Sequence, residues 1–428
     1  MSRLDSALGI ALAVTMALVA VSPAIPSALP LAGAASLAVG VLGFLQLRRP
    51  QRLIAAILVV TGVAALVTAL VLGYRFDPVE VFGLNQTLLG MLAAVSFVAT
   101  ITREEPEVSS RLTGAAAVWR TAVVTHILGA VINLSAVNLV GDHLARRGRL
   151  SIANALMLSR AFSPGAFWSP FWAASAVAFT YAPTAQSGVL VLCGLILAVV
   201  SLAIGVALLV RAFGDELPSY TGFAIGVSML RIPLSLAALV IVGHALLPSV
   251  DLSVIVLLAS LLVTVASLMT RHPRRMPRIL AAHVVRGLPR MRGEVTLFTA
   301  AGVLSVGMRA LVDAAGWSAP VTEFTVLTAW LLVIAMILVS FAGVHPVISI
   351  AAAAALFAST HPNPTLFAMV AMIAWGCAAA VGPISGLNVY LAGRYDANGF
   401  VVARRNLPYL GVVVILALPV LLLCDMLT

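Results

Sequence analysis

Apolar runs of about twenty residues, the length that crosses a bilayer as one helix, recur along almost the whole chain, separated by short connectors that carry most of the arginines. Few folds are open to such a chain. In hydrocarbon every backbone N–H and C=O needs a partner inside the protein, so spanning elements are helices or closed barrels. Runs this long and continuous select helices. Hydrophobic residues make up 62% of the 428 and charged residues only 9%, with a mean hydropathy of +1.11. The expected class is an all-α polytopic membrane protein.

The formal charge is +10, and all 25 basic residues are arginine. Arginine without lysine reads as the coding bias of a high-GC genome, and a bacterial inner membrane is the expected location. The arginines lie largely between apolar runs, where the tendency of basic residues to stay on the cytoplasmic side accounts for them without a nucleic-acid partner. The lipid bilayer is the partner this composition demands. Cys193, Cys377 and Cys424 stand singly, with no paired or metal-binding spacing.

Reading the runs in order gives eleven expected spans. The first covers about 6–22 and is read as a retained helix rather than a cleaved signal peptide. Spans follow at about 27–47, 53–73 and 83–101. Arg48, Arg49 and Arg52 put the second turn, and the N-terminus with it, in the cytoplasm. The acids Asp77 and Glu80 fall in an outer loop, and the loop 103–111 returns inside. A simple span over 115–141 would then leave Arg146, Arg147 and Arg149 outside, against the charge rule. An inner re-entrant hairpin removes the conflict. Its arms are about 114–132 and 134–144, with Asn133, Ser135 and Asn138 at a polar tip.

The fifth span, about 151–182, is interrupted at Ser163-Pro164-Gly165 and Ser169-Pro170, because an internal proline removes one helical hydrogen bond and clashes with the preceding turn. Spans at about 187–210, 220–246, 251–270 and 295–315 follow. The loop from Arg271 to Arg292 holds seven arginines and no acid, consistent with an inner position. An outer hairpin is expected over 322–359, with arms of about 322–342 and 347–359 and Gly343-Val344-His345-Pro346 at its tip. The tenth span, about 363–392, breaks at Gly382-Pro383, with Ser385, Gly386 and Asn388 beyond. The eleventh, about 407–425, ends outside. Asn133 and Pro170 lie 37 positions apart, as do Pro346 and Pro383. Residues 27–211 and 220–428, joined by a linker at 212–219, thus read as an inverted repeat after an N-terminal helix at 1–26. Transporters built this way hold their cargo at the repeat interface.

This order of spans, with an inner hairpin before a broken fifth and an outer hairpin before a broken tenth, resembles the ion transporter superfamily. That group includes divalent anion:sodium symporters, arsenite and citrate carriers, and TRAP membrane subunits. The resemblance is architectural: where divalent anion:sodium symporters carry Ser-Asn-Thr at each tip, this chain reads Asn133-Leu134-Ser135 and Val344-His345-Pro346. It implies a mobile transport domain of hairpins and broken helices, a scaffold that can form a homodimer, and elevator-like movement of a small-molecule substrate.

Each candidate binding residue has a bland reading beside the functional one. Asn133, Ser135 and Asn138 suit a cation or a substrate, and equally suit hydrogen bonds that glue membrane helices together. Ser163, Ser169, Ser385, Ser349 and Asn388 lie at or near breaks. There, freed carbonyls attract cations and half-helix N-termini attract anions. His345 suits proton transfer or a structural donor role. Arg160, about ten residues into the fifth span, would neutralise an anionic substrate or form a buried pair. Arg231 and Arg309 read as structural. The acids Asp142, Asp251, Asp313 and Asp396 fall at expected helix ends, so no buried proton-relay acid is expected. Coupling then falls to Na+ or H+, through His126, His345 or backbone oxygens, with no resident cofactor.

The expected function is ion-coupled secondary transport of a small anionic organic solute, not enzymatic. A membrane enzyme would need chemistry such as HExxH or GxGD, and neither occurs. A flippase for lipid or polyprenyl-linked glycan would use a cationic cavity, for which Arg160, Arg231 and Arg309 are the available residues. The topology is testable in a background lacking the three native cysteines. Single cysteines beside Arg147 and Arg278 are expected to label only from the cytoplasmic face of intact cells. Labelling of the first from outside would remove the inner hairpin.

Overall fold

The computed structural model describes residues 3–75, 83, 85–102, 112–224, 227–317 and 321–428. The expected loop 103–111 and the acids Asp77 and Glu80 lie outside the described residues. Among the described residues the chain is helical, without strands. The helices run in the order α1 (Arg3–Val21), α2 (Ala28–Leu45), α3 (Arg49–Val71), α4 (Gln86–Val98), α5 (Gly114–Ile132), α6 (Leu134–Leu144), α7 (Ile152–Phe162), α8 (Ala173–Tyr181) and α9 (Ser187–Phe213). They continue with α10 (Val227–Leu246), α11 (Leu252–Arg271), α12 (Met276–Ala282), α13 (Arg292–Ala314), α14 (Val326–Phe341), α15 (Pro346–Leu356), α16 (Pro364–Val381), α17 (Gly386–Tyr395) and α18 (Gly399–Met426). Ten helical stretches among the described residues have the length and apolar character to cross a membrane. The protein is a multi-pass helical membrane protein.

Two compact units interleave along the sequence. Unit 1 comprises Met1–Arg103, Ala238–Phe324 and Ile350–Pro362; unit 2 comprises Glu104–Ala237, Thr325–Ser349 and Asn363–Thr428. The arms expected for the outer hairpin, 322–342 and 347–359, are therefore divided between the units.

Unit 1 is built on close helix approach. On α3, a β-carbon at Gly62 would sit 2.6 Å from the Val303 carbonyl oxygen and 2.7 Å from Leu304 Cα, and one at Gly307 on α13 would collide with Gly62 itself. Small residues that let two backbones meet are the usual device where hydrocarbon supplies no hydrophobic drive between helices. The arginine-bearing connectors gather at one end of this unit. Gln46 donates to the Leu4 carbonyl, Arg292 pairs with Asp5 at 3.6 Å, and Gln51 lies beside Gly293. Arg52 donates to the Leu45 and Leu47 carbonyls, closing the end of α2. From Met276 the chain stays helical for 39 residues, passing through a π-helical turn at His283–Gly287. The ring of His283 meets Ser96 at 2.9 Å and tilts over Phe97.

Unit 2 is built around α16, whose residues 365–381 are buried except Ala379. Asn363 caps it by accepting from the N–H groups of Thr365 and Leu366, with Pro364 at the first helical position. α5 and α6 are separated by Asn133 alone. At the start of α5, the Gly114 N–H donates to the Tyr220 carbonyl at 2.9 Å, Arg120 donates to the Phe223 and Thr221 carbonyls, and the Phe223 N–H donates to the Thr121 hydroxyl. At the end of α6, His143 Nε2 lies 3.2 Å from the Gly222 carbonyl. A straight helix would separate Thr121 and His143 by about 33 Å. Thr121 reaches Phe223 and His143 reaches the adjacent Gly222, so the chain reverses at Asn133.

Several expected boundaries move. The polar tip expected over 133–138 narrows to Asn133, since Ser135 and Asn138 are already in α6. The fourth span shrinks to Gln86–Val98. The eleventh starts at Gly399, not 407, because Asn398 caps it by accepting from the N–H groups of Phe400 and Val401. The close approach of α3 and α13 gives a direct stability test. Gly307→Leu is expected to cost at least about 1–3 kcal/mol by overpacking, read as a lower melting temperature in detergent. Gly393→Ala, where no atom lies within 4 Å, should leave it unchanged or slightly raised.

Candidate functional site

Every candidate binding residue lies in unit 2, and two interrupted helices organise them. The first interruption follows α7. The Ser151 side chain starts that helix by accepting from the Asn154 N–H. Pro164 and Gly165 convert its end into a single 3-10 turn, Ser163–Phe167, after which 168–172 is irregular through Pro170. Side chains of this break hold the last turn of α5. Trp172 donates its indole N–H to the Gly129 carbonyl at 2.9 Å, and the Ser169 hydroxyl donates to the Ala130 carbonyl while accepting from the Phe171 N–H. Ser163 is buried. Gly376 of α16 faces this turn, and a side chain there would collide with the Phe167 ring.

His126 is fixed between the same elements. Trp168 donates to its Nε2 at 3.2 Å, and its Nδ1 lies 3.0 Å from the Ala161 carbonyl. An indole N–H only donates and a carbonyl only accepts, so the imidazole is neutral with its hydrogen on Nδ1. A proton on Nε2 would displace Trp168.

The second interruption lies between α16 and α17. Gly382, Pro383 and Ile384 leave the helical path, and Ser385 restarts it by accepting from the Asn388 N–H, while its hydroxyl donates to the Ala379 carbonyl. Gly386 is the first residue of α17. The Asn388 amide donates to the Gly382 carbonyl at 2.8 Å and to the Ala380 carbonyl at 3.4 Å. The expected outer tip reaches this break: Gly343, at φ 101°, lies against the Ile384 side chain. Next to it, His345 sits half-buried with its ring edge-on to Trp375 at 5.2 Å, and its Nδ1 accepts from the Val347 N–H. Pro346 opens α15.

Asn406 on α18 joins the two interruptions. Fully buried, it donates to the Ala380 carbonyl at 3.0 Å and to the Ser159 hydroxyl at 3.0 Å, while its Oδ1 accepts from Arg160 Nε at 2.9 Å. Arg160 also donates to the Arg405 carbonyl at 2.9 Å and stacks over the Tyr409 ring. It is 5% exposed. Its partners are all neutral, and no acid among the described residues pairs with it.

A second set of contacts binds the reversed α5–α6 segment to α17. Arg394 grips Asp142 with two bonds, 3.0 and 2.7 Å, and the Tyr395 hydroxyl lies 2.8 Å from the same carboxylate and 3.1 Å from the Asn138 carbonyl. Arg149 pairs with Asp396 at 3.0 Å nearby. Residues 142–149 and 394–396 therefore share one end of unit 2.

The backbone at Asn133, φ 53° and ψ −137°, is a region that side-chain-bearing residues rarely occupy, and holding it costs about 1–3 kcal/mol. Buried oxygens without hydrogen-bond partners include Asn138 Oδ1, Asn388 Oδ1 and Ser349 Oγ. Ser135 is half-buried on α6. Arg231 and Arg309 are exposed and fall in different units, so the three arginines do not form one cluster within either. Sequence reasoning missed Asn406, Trp168, Trp172 and the Asp142–Arg394–Tyr395 set. Asn406 follows Arg404 and Arg405 directly, so in sequence it reads as part of a polar connector ahead of a helix at 407.

The sequence matches no protein-family model, and a search of curated proteins finds no significant similarity.

The Asn406 network makes a quantitative expectation. Asn406→Leu strips buried Arg160 and Ser159 of partners, and each buried group left unsatisfied costs about 1–3 kcal/mol. Unfolding in detergent should show a loss of roughly 3 kcal/mol, against almost none for the exposed Thr270→Ala. The double variant with Arg160→Leu should cost less than the two singles combined, because both partners are then absent. Strict additivity would mean that the contact carries no coupling.

Proposed function

We propose that the protein is a secondary active transporter of a small anionic organic solute, coupled to Na+ or H+, with unit 2 as the part that carries the cargo. The observation that carries this reading is Arg160, a cation buried among neutral partners at the junction of two interrupted helices. Buried charge is normally paired or hydrogen-bonded to exhaustion. Of the guanidinium's five N–H donors, the residues around it engage only some, so an incoming carboxylate or oxyanion supplies what the fold withholds. Ionisable groups at such positions in membrane proteins mark substrate paths.

The coupling ion is read from the oxygens. Asn138 Oδ1, Asn388 Oδ1 and Ser349 Oγ are buried acceptors lacking donors, which suits a cation. His126, bonded through both nitrogens as a neutral ring, fits proton coupling poorly, which favours Na+ or leaves His345 for H+. The reversal at Asn133 and the shared ends of unit 2 support the inner re-entrant hairpin. They agree with a topology that keeps Arg146–Arg149 and Arg394 on the cytoplasmic side of a bacterial inner membrane. The inverted repeat and elevator-like movement rest on the architectural resemblance to the ion transporter superfamily. The division into two compact units suits a carrier and a scaffold.

The test begins with a thermal-shift screen of purified protein against carboxylates, amino acids and oxyanions, with and without sodium. Uptake of the stabilising solute is then measured in proteoliposomes. Arg160→Gln, Asn388→Ala and Asn133→Gly remove the proposed ligands; glycine is chosen at 133 because alanine would be strained at positive φ. A neutral contact is worth about 0.5–1.5 kcal/mol and a charged one about 1.5–3, so losses of several-fold to more than tenfold in apparent affinity are expected. Arg404→Gln, on an exposed position, should match the parent. Parental affinity and ion dependence in all three variants would put the site elsewhere.

A further inference from the structure

We propose that the arginine-rich end of unit 1 is a binding surface for the phosphodiester headgroups of anionic phospholipid, independently of what the protein transports. The helical run from Met276 to Ala314 has 39 residues, about 58 Å at 1.5 Å per residue, against a hydrocarbon core of about 30 Å. Counting back from Ala314, about twenty residues fill the core. The turns before α13 must therefore lie at headgroup depth or beyond. Those turns carry Arg278, Arg286, Arg290 and Arg292, with Arg271, Arg274 and Arg275 immediately ahead, and no acid from 271 to 293.

The geometry separates the arginines by role. Arg292 is matched by Asp5, whereas no acid among the described residues pairs with Arg274, Arg275, Arg278, Arg286 or Arg290, all exposed. Arg274 and Arg275, with His272 and Pro273, line an open depression of about 400 Å³, roomy enough for a phosphodiester headgroup. None of the residues of α12 is buried, so this face is presented outward, while Leu288 and Pro289 just beyond it are buried and anchor the segment. Arg48 and Arg49 are exposed at the same end, beside Gln51 and Gly293. A cationic surface at the depth of lipid phosphates, beside a helix that sets its height, meets the requirements of an anionic-lipid site.

Native mass spectrometry of the full chain, after exposure in mild detergent to equal amounts of phosphatidylglycerol and phosphatidylcholine, tests this. The parent should retain phosphatidylglycerol preferentially. Neutralising Arg274, Arg275 and Arg278 together to Gln should reduce that preference by about fivefold per arginine. The same three changed to Lys should keep most of it, which separates loss of charge from misfolding, and Arg146, Arg147 and Arg149 changed to Gln in unit 2 should leave it intact. Equal retention of both lipids by the parent, or an undiminished preference in the Gln variant, overturns the proposal. So does displacement of the lipid by excess inorganic phosphate, which would make the surface a site for small anions.

Discussion

Interrupting a helix inside a membrane frees carbonyl groups that water cannot reach, and the arrangement of unit 2 follows from how those groups are satisfied. An unpaired backbone group in hydrocarbon costs several kcal/mol. At the second interruption the cost is met by two carboxamides and a hydroxyl: Asn388, Asn406 and Ser385 supply donors to the carbonyls of Ala379, Ala380 and Gly382. Asn406 contributes from a different helix, so α18 cannot shift without exposing the break. The same side chain accepts from Arg160, which ties the position of a buried positive charge to the integrity of a helix break on the far side of it in sequence. Stability and candidate chemistry are thus served by one amide.

The legibility of this arrangement in the sequence was uneven for physical reasons. Membrane spans announce themselves by length and hydropathy, and the breaks by proline and glycine, so Ser163-Pro164-Gly165 and Gly382-Pro383 interrupt helices where expected. The reversal at Asn133 has no local signal and is legible only through the charge conflict that Arg146, Arg147 and Arg149 create. What escaped were side-chain partnerships between distant segments. Nothing near Arg160 in sequence points to Asn406, 246 residues away, and Asp142 and Arg394 are separated by 252. The start of α18 is hidden because polar residues inside a helix resemble its end. Arg404 and Arg405 looked like a connector, yet they ride on α18 and bring Asn406 into the core.

The two units use different physics to hold together. Unit 1 relies on shape, with glycines on α3 and α13 removing the side chains that would keep the backbones apart. Unit 2 relies on polar pairing around α16, where Trp172, Ser169, Asn388 and Asn406 each hold an exposed piece of backbone.

The interleaving of the units sets an order of events during synthesis. Residues 151–182 leave the ribosome with their break already encoded, but α16, which packs against that break, lies about 190 positions further on. At about 5–20 residues per second, the interrupted helix waits about 10–40 s in the bilayer before its partner exists. During that interval α5 is the element already made that bonds to the break, its Gly129 and Ala130 carbonyls accepting from the Trp172 and Ser169 side chains. The pairing of α5 with Trp172 and Ser169 is thus available before α16 is made, whereas the packing of Gly376 against the Phe167 ring is not. Unit 2 cannot close around its innermost helix until the intervening segment of unit 1, Ala238–Phe324, has been made.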